Sequence, residues 1–122
     1  MKTDPWRLMF CGAVLMMAYQ FSQWQTLREV YAQWDKPVHA IVFFAAWWLM
    51  RWCLPWRAWV VSLAALLGGA AVEVHQYFLP RSTPSLTDWL SDLVGVVAAL
   101  AVYWGWQSAQ RWNLQRRSQQ AV

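Results

Sequence analysis

Charge is what this chain has least of. Only 13% of its 122 residues are Asp, Glu, Lys or Arg, and just six are acids, against 59% hydrophobic residues. So little charge cannot solvate the surface of a soluble domain around that much apolar material, and composition places the chain among membrane proteins. Cysteine is nearly as scarce. Cys11 and Cys53 are the only two, which excludes a disulfide framework and gives no zinc-ligand spacing, so free thiols are expected. No Gly-rich phosphate loop and no nucleophile motif occurs. The start of the chain is charged and then apolar like a signal peptide, but no small-x-small cleavage site follows and Phe10 before Cys11 argues against a lipoprotein. This run is expected to remain attached as a first transmembrane helix. Linkers and internal repeats are missing too, so a single membrane domain is expected over residues 1–122.

Tryptophan is what the chain has in excess. Twelve are present, and this side chain is favoured at headgroup depth, where its ring is half in hydrocarbon and its N–H is wet. Four apolar runs between them are candidate spans, at about residues 6–23, 37–54, 56–79 and 86–106, each able to cross a core of about 30 Å at about 1.5 Å per residue. The expected fold class is therefore all-α, a four-helix transmembrane bundle with short connections. The net charge of +4 does not point to nucleic acid, because it is sorted by side. Lys2, Arg7, Arg51, Arg57, Arg111, Arg116 and Arg117 fall at one set of span ends, and Arg28, Lys36 and Arg81 at the other. Seven against three predicts both termini cytoplasmic, with the basic tail 107–122 on the inner side as a short helical extension or frayed end. Every acid but Asp4 then lies outward. Residues 24–34 suit an interfacial helix or loop.

The stretch from Glu73 to Asp92 organises the rest. It holds three of the six carboxylates, and Glu73 and Asp92 lie inside the flanking apolar runs. An ionisable side chain at membrane depth marks a functional-site hypothesis, because burying it costs roughly 2.5–3.5 kcal/mol even on lenient insertion scales. Asp35 and His39 share a helix face, as do Ala65, Gly69, Glu73 and Gln76, and as do Asp88, Asp92, Gly95 and Ala99. The small residues predict that the third helix packs its Ala65/Gly69 face on the Gly95/Ala99 face of the fourth, drawing Glu73 toward Asp92. His39, Glu73 and Asp92 all fall roughly 6–8 Å below the outer interface at about 1.5 Å per residue. Ser85 and Asp88 have the spacing of a capping box. Asp35 can cap the second helix, Arg81 can anchor a loop at headgroups, and His75 points away from Glu73 as an interfacial residue.

Asp35-Lys36-x-x-His39, Glu73-x-x-Gln76, Arg81 and Asp88-x-x-x-Asp92-x-x-Gly95 together resemble the VanZ-like membrane proteins over roughly residues 35–99. The resemblance implies a multi-pass protein of the bacterial inner membrane, in a family named after an accessory factor in glycopeptide (teicoplanin) resistance. It implies no settled activity. Three functions are weighed. The first is binding or modulation of a cell-envelope lipid, a lipid-linked precursor or a glycopeptide. The second is a membrane-embedded enzyme on a lipid or lipid phosphate, with His39, Glu73 and Asp92 as candidate catalytic residues. In either, Asp35, Lys36, Gln76, Arg81 and Asp88 are the candidate substrate-binding residues, Lys36 and Arg81 as phosphate holders in the enzyme. The third is a proton-coupled carrier subunit. Without a nucleophile motif, binding stands ahead of catalysis. Membrane lipid and a lipid or glycopeptide ligand are the expected partners, with a homo-oligomer as an option and no nucleic acid. No metal ligand set is assigned, although a His with several carboxylates can hold a divalent cation. Such a cation, or a proton on Glu73, Asp92 or His39, would relieve a polar layer whose four acids outweigh Lys36 and Arg81.

Overall fold

The computed structural model describes residues 4–22, 34–79 and 84–120. Among the described residues there are four helices and no strand: α1 Pro5–Ser22, α2 Asp35–Cys53, α3 Ala58–Tyr77 and α4 Leu86–Gln120. Arg81 and residues 24–33 lie outside the described set. α3 and α4 are long and apolar enough to cross a membrane. α1 and α2 are helical where spans are expected, but Arg7, Tyr19 and Gln20 in the first, and Asp35, Lys36 and Arg51 in the second, hold them below that apolarity.

Local chemistry sets the helix ends. Pro37 sits in the first turn of α2, where its missing N–H has no intrahelical acceptor to lose. α2 stops at Cys53 because Leu54 precedes Pro55 and is pushed into extended backbone, φ −108° and ψ 133°. Its N–H still closes onto the Met50 carbonyl at 2.8 Å. Four residues later α3 has begun, so α2 and α3 are antiparallel neighbours. α4 meets no Pro after Leu86 and runs unbroken to Gln120, so the basic tail continues the helix as far as it is described.

The core is built on Trp47, which is fully buried with Val61, Ala65, Val96 and Ala99, under Phe43, Phe44, Leu66 and Leu100. An indole N–H in hydrocarbon needs an acceptor. Trp47 Nε1 donates to Ser62 Oγ at 2.8 Å, and Ser62 Oγ donates in turn to the Ala58 carbonyl at 2.9 Å. α1 packs chiefly on α2. Trp6 and Phe10 meet the Trp52 ring edge-on at 5.8 and 6.2 Å, the Arg7 guanidinium lies 5.1 Å from the same ring, and the free thiols Cys11 and Cys53 are both buried.

The expected meeting of the Gly95 face with α3 is corrected. α2 and α4 make the most extensive contact, and a Cβ on Gly95 would fall 2.2 Å from the Ala40 carbonyl oxygen and 3.0 Å from the Phe44 nitrogen. Gly95 therefore lets α4 lie against the backbone of α2. Gly69 does face α4 as expected, since a Cβ there would stand 3.0 Å from Asp92 Oδ2, but Phe43 of α2 is equally near at 3.1 Å. Small residues on one face allow close approach without naming the partner.

The same substitution at two glycines tests this packing. Gly95→Ala forces backbone atoms apart and should lower thermal stability in detergent by roughly 1–3 kcal/mol, the usual range for overpacking. Gly68→Ala meets nothing within 4 Å and should be neutral or slightly stabilising through helix propensity. Equal melting temperatures for the two variants would disprove the close approach.

Candidate functional site

One stripe of each of three helices leads from the Trp47 core to a polar group. On α2 the stripe is Trp47, Phe43 and His39, spaced four apart; on α3 it is Val61, Ala65 and Gly69; on α4 it is Ala99, Val96 and Asp92. Asp92 is only 2% exposed. His39 Nδ1 lies 2.8 Å from Asp92 Oδ1, with the His39 side chain 26% exposed. Gly69 borders the other carboxylate oxygen, so α3 supplies a wall without a side chain and Asp92 fits where a larger residue would evict it.

A hydrogen bond between an imidazole nitrogen and a carboxylate oxygen requires one proton between them. Read with His39 as donor, the Nδ1–H points at Asp92 and fixes the ring's tautomer and orientation. The arrangement can hold a proton at a defined atom and pass it to a bound group. Neighbouring serines serve structure instead: Ser62 supports Trp47, Ser85 Oγ pairs with Thr87 Oγ1 at 2.6 Å, and Ser91 Oγ donates to the Thr87 carbonyl at 2.9 Å.

Glu73 is engaged at the start of α4. Its Oε2 accepts the Ser85 backbone N–H at 2.9 Å, while the Ser85 carbonyl accepts from the Asp88 and Trp89 N–H groups at 3.1 and 3.3 Å. Ser85 is thus the N-terminal cap residue of α4, and the acid that reaches back to its N–H comes from α3. The capping box read from Ser85 and Asp88 is corrected accordingly. A carboxylate at a helix N-terminus satisfies an orphan donor and faces the positive end of the helix dipole. Trp89 adds a second tie, donating from Nε1 to the Leu66 carbonyl at 3.1 Å.

The remaining candidates scatter around this centre. Asp88 is half-buried one turn before Asp92, Gln76 is buried at 8% exposure in the last turn of α3, and Lys36 is exposed in the first turn of α2. Asp35 begins α2, but its side chain, like all of Arg81, lies outside what is described. Among the described residues no three His, Cys, Asp or Glu side chains converge as a metal centre would need. A further polar pair had no signal in the sequence: the Tyr19 hydroxyl is hydrogen-bonded to His75 Nδ1, joining α1 to α3. His75 is exposed as an interfacial residue would be, and only the relative rotation of two helices reveals its partner. Outside the pair, Glu73, Val74, Tyr77, Phe78 and Pro84 line an open groove of about 300 Å³.

A VanZ/LLP1 family model matches residues 5–107. The chain belongs to the VanZ/LLP1 family. That match takes in all of α1, α2 and α3, the apolar length of α4, and every residue of the His39, Glu73 and Asp92 constellation. No curated protein and no solved structure matches the chain significantly. In this VanZ/LLP1 protein the Asp-Lys-x-x-His and Asp-x-x-x-Asp-x-x-Gly segments meet through the His39–Asp92 bond and the Gly95–Ala40 approach.

Pair coupling gives the test. His39→Leu leaves a buried carboxylate without its donor and should cost roughly 1–3 kcal/mol, the range for an unsatisfied buried polar group. Adding Asp92→Asn removes the charge and should recover part of that loss, so the double variant melts above His39→Leu in detergent. Strictly additive losses would mean the two side chains do not interact.

Proposed function

We propose that this VanZ/LLP1 protein is a four-span protein of the bacterial inner membrane that binds or modulates a cell-envelope amphiphile, a lipid, a lipid-linked precursor or a glycopeptide, at its outward end. The observation that carries the reading is the Asp92–His39 pair, a carboxylate 2% exposed between helices of a membrane protein. If shape alone mattered, Asn would fill the same volume without the charge, and the cost of a charge in that setting argues for a use. The groove beside Glu73 supports a ligand with an apolar portion, since Val74, Tyr77, Phe78 and Pro84 give it an apolar surface. The Glu73 carboxylate at its edge suits a headgroup that carries N–H or O–H donors. Lys36, Asp35, Gln76, Asp88 and Arg81 would contact the rest of the ligand. The seven-to-three sorting of basic residues supports cytoplasmic termini.

The geometry favours one second reading, an enzyme. An imidazole oriented through Nδ1 by a carboxylate is the arrangement by which many hydrolases set a general base, and His39 would then deprotonate a water or hydroxyl of a bound lipid.

Two measurements test the proposal. An impermeant thiol reagent on intact cells should label Ser82→Cys and not Ser118→Cys, while native Cys11 and Cys53 are buried; the reverse pattern overturns the outward site. Glu73→Gln keeps an acceptor for Ser85, so the protein should insert and melt like wild type. It should nonetheless retain envelope lipid or glycopeptide at least about tenfold less tightly, a loss of about 1.4 kcal/mol, as read by native mass spectrometry or envelope-antibiotic sensitivity. A Glu73→Gln protein that is both stable and fully competent removes Glu73 from the site.

A further inference from the structure

At the end of the bundle opposite the His39–Asp92 pair, Arg51 of α2 meets Tyr103 of α4, on a face of α4 that continues through Gln107 and Arg111 with no carboxylate among them. Arg51, in the last turn of α2, points its guanidinium at Tyr103 of α4, 5.5 Å from the ring centroid, with Nη2 3.5 Å from the hydroxyl oxygen. Gln107 and Arg111 follow Tyr103 one and two turns further along α4. Tyr103, Gln107 and Arg111 are spaced four apart and so form one face of α4. The Tyr103 ring is held in place from the core side by Trp47 and Trp48, at 5.5 and 6.2 Å.

The charges in this cluster are unbalanced. No acid follows Asp92 in the chain, and none lies between Asp35 and Glu73. Arg51 Nε is buried without a hydrogen-bond partner. A cation in the last turn of a helix is favourable beside the carbonyl ends, which accounts for an Arg at position 51. That account leaves Nε unanswered and does not call for Arg111 on the neighbouring helix. A guanidinium presents a planar fork that matches two oxygens of a phosphate, and a second guanidinium, an amide N–H₂ and a phenol supply further donors.

We propose that Arg51 and Arg111 form a binding site for an anionic phosphate group across Tyr103 and Gln107, separate from the outward site. The group is carried either by an anionic phospholipid of the leaflet at that end or by a free phosphate. Its place suits the first, since Arg51 is about 18 Å along α2 from His39 at about 1.5 Å per residue and so reaches the opposite headgroup layer. This inference does not rest on the outward ligand, and its test uses neither His39 nor Glu73.

The test compares Arg51→Gln, Arg51→Lys and Arg111→Gln with Arg117→Gln, which changes an exposed Arg further along the same helix. In native mass spectrometry from detergent, wild type and Arg117→Gln should retain phosphatidylglycerol at about tenfold lower lipid concentration than Arg51→Gln or Arg111→Gln. Arg51→Lys, which keeps charge and loses the fork, should fall between. Arg111 is exposed, so Arg111→Gln reports on binding even where an Arg51 variant folds poorly. A second arm adds inorganic phosphate in place of chloride at equal ionic strength to lipid-free protein. A rise in wild-type melting temperature that Arg111→Gln abolishes assigns the site to phosphate itself; retention of the lipid with no such rise assigns it to the intact phospholipid. Equal lipid retention by Arg111→Gln and Arg117→Gln overturns the proposal, because attraction would then be a property of basic charge and not of this cluster.

Discussion

The approach of α4 to the carbonyl of Ala40 is the constraint on which the rest depends. Gly95 has no room for a Cβ at that crossing, and Asp92 sits one turn before it on the same face. Ala40 is next in sequence to His39, so the contact that lets two backbones touch also sets the Asp92 carboxylate 2.8 Å from His39 Nδ1. Backbone proximity and the polar pair are one feature seen at two atoms. Any side chain at position 95 would spread the helices and stretch that hydrogen bond together with the Trp47 core beneath it.

Once the helices meet this closely, each polar group drawn inside must find a partner, because hydrocarbon offers none. Trp47 is answered by Ser62, Trp89 by the Leu66 carbonyl, and the Ser85 N–H by Glu73. These bonds run between helices and so act as register marks. The Trp47–Ser62 bond fixes α2 against α3, and the Trp89 and Ser85 bonds fix α3 against α4. Among the described residues Arg7 Nε and Arg51 Nε are the exceptions, buried with no hydrogen-bond partner.

Much of this was legible in the residues. Apolar run length and proline placement locate α1, α2 and α3 to within two residues at each end. Four-residue spacing and common depth single out His39 and Asp92, which the structure joins. Pairwise partnership was less legible. A glycine face says that something comes close, and α2 and α3 both offered small or flexible surface to Gly95; the choice depends on how α4 is rotated, which no single helix records. Ser85 and Asp88 have a local capping spacing, but local spacing competes with any acid the tertiary fold delivers, and Glu73 arrives from α3. Tyr19 and His75 are 56 residues apart, with no periodicity linking their helices.

Glu73 then joins the structural and functional readings of the molecule. Its carboxylate has two oxygens, and Oε2 is engaged with the first turn of α4, so a headgroup in the adjoining groove would meet a carboxylate already tied to that helix. Should a ligand's cation or hydroxyl draw Glu73 away, the Ser85 N–H loses its acceptor, and the cost falls on the helix turn that leads to Asp92. Seven residues separate Ser85 from Asp92, about 10 Å along a helix at about 1.5 Å per residue. A ligand that strengthens the Glu73 bond would instead hold α4 more firmly against α3. The proposed outward site is thus mechanically linked to the buried pair through one stretch of α4, and the small wall at Gly69 leaves the Asp92 carboxylate little room to move except along that helix.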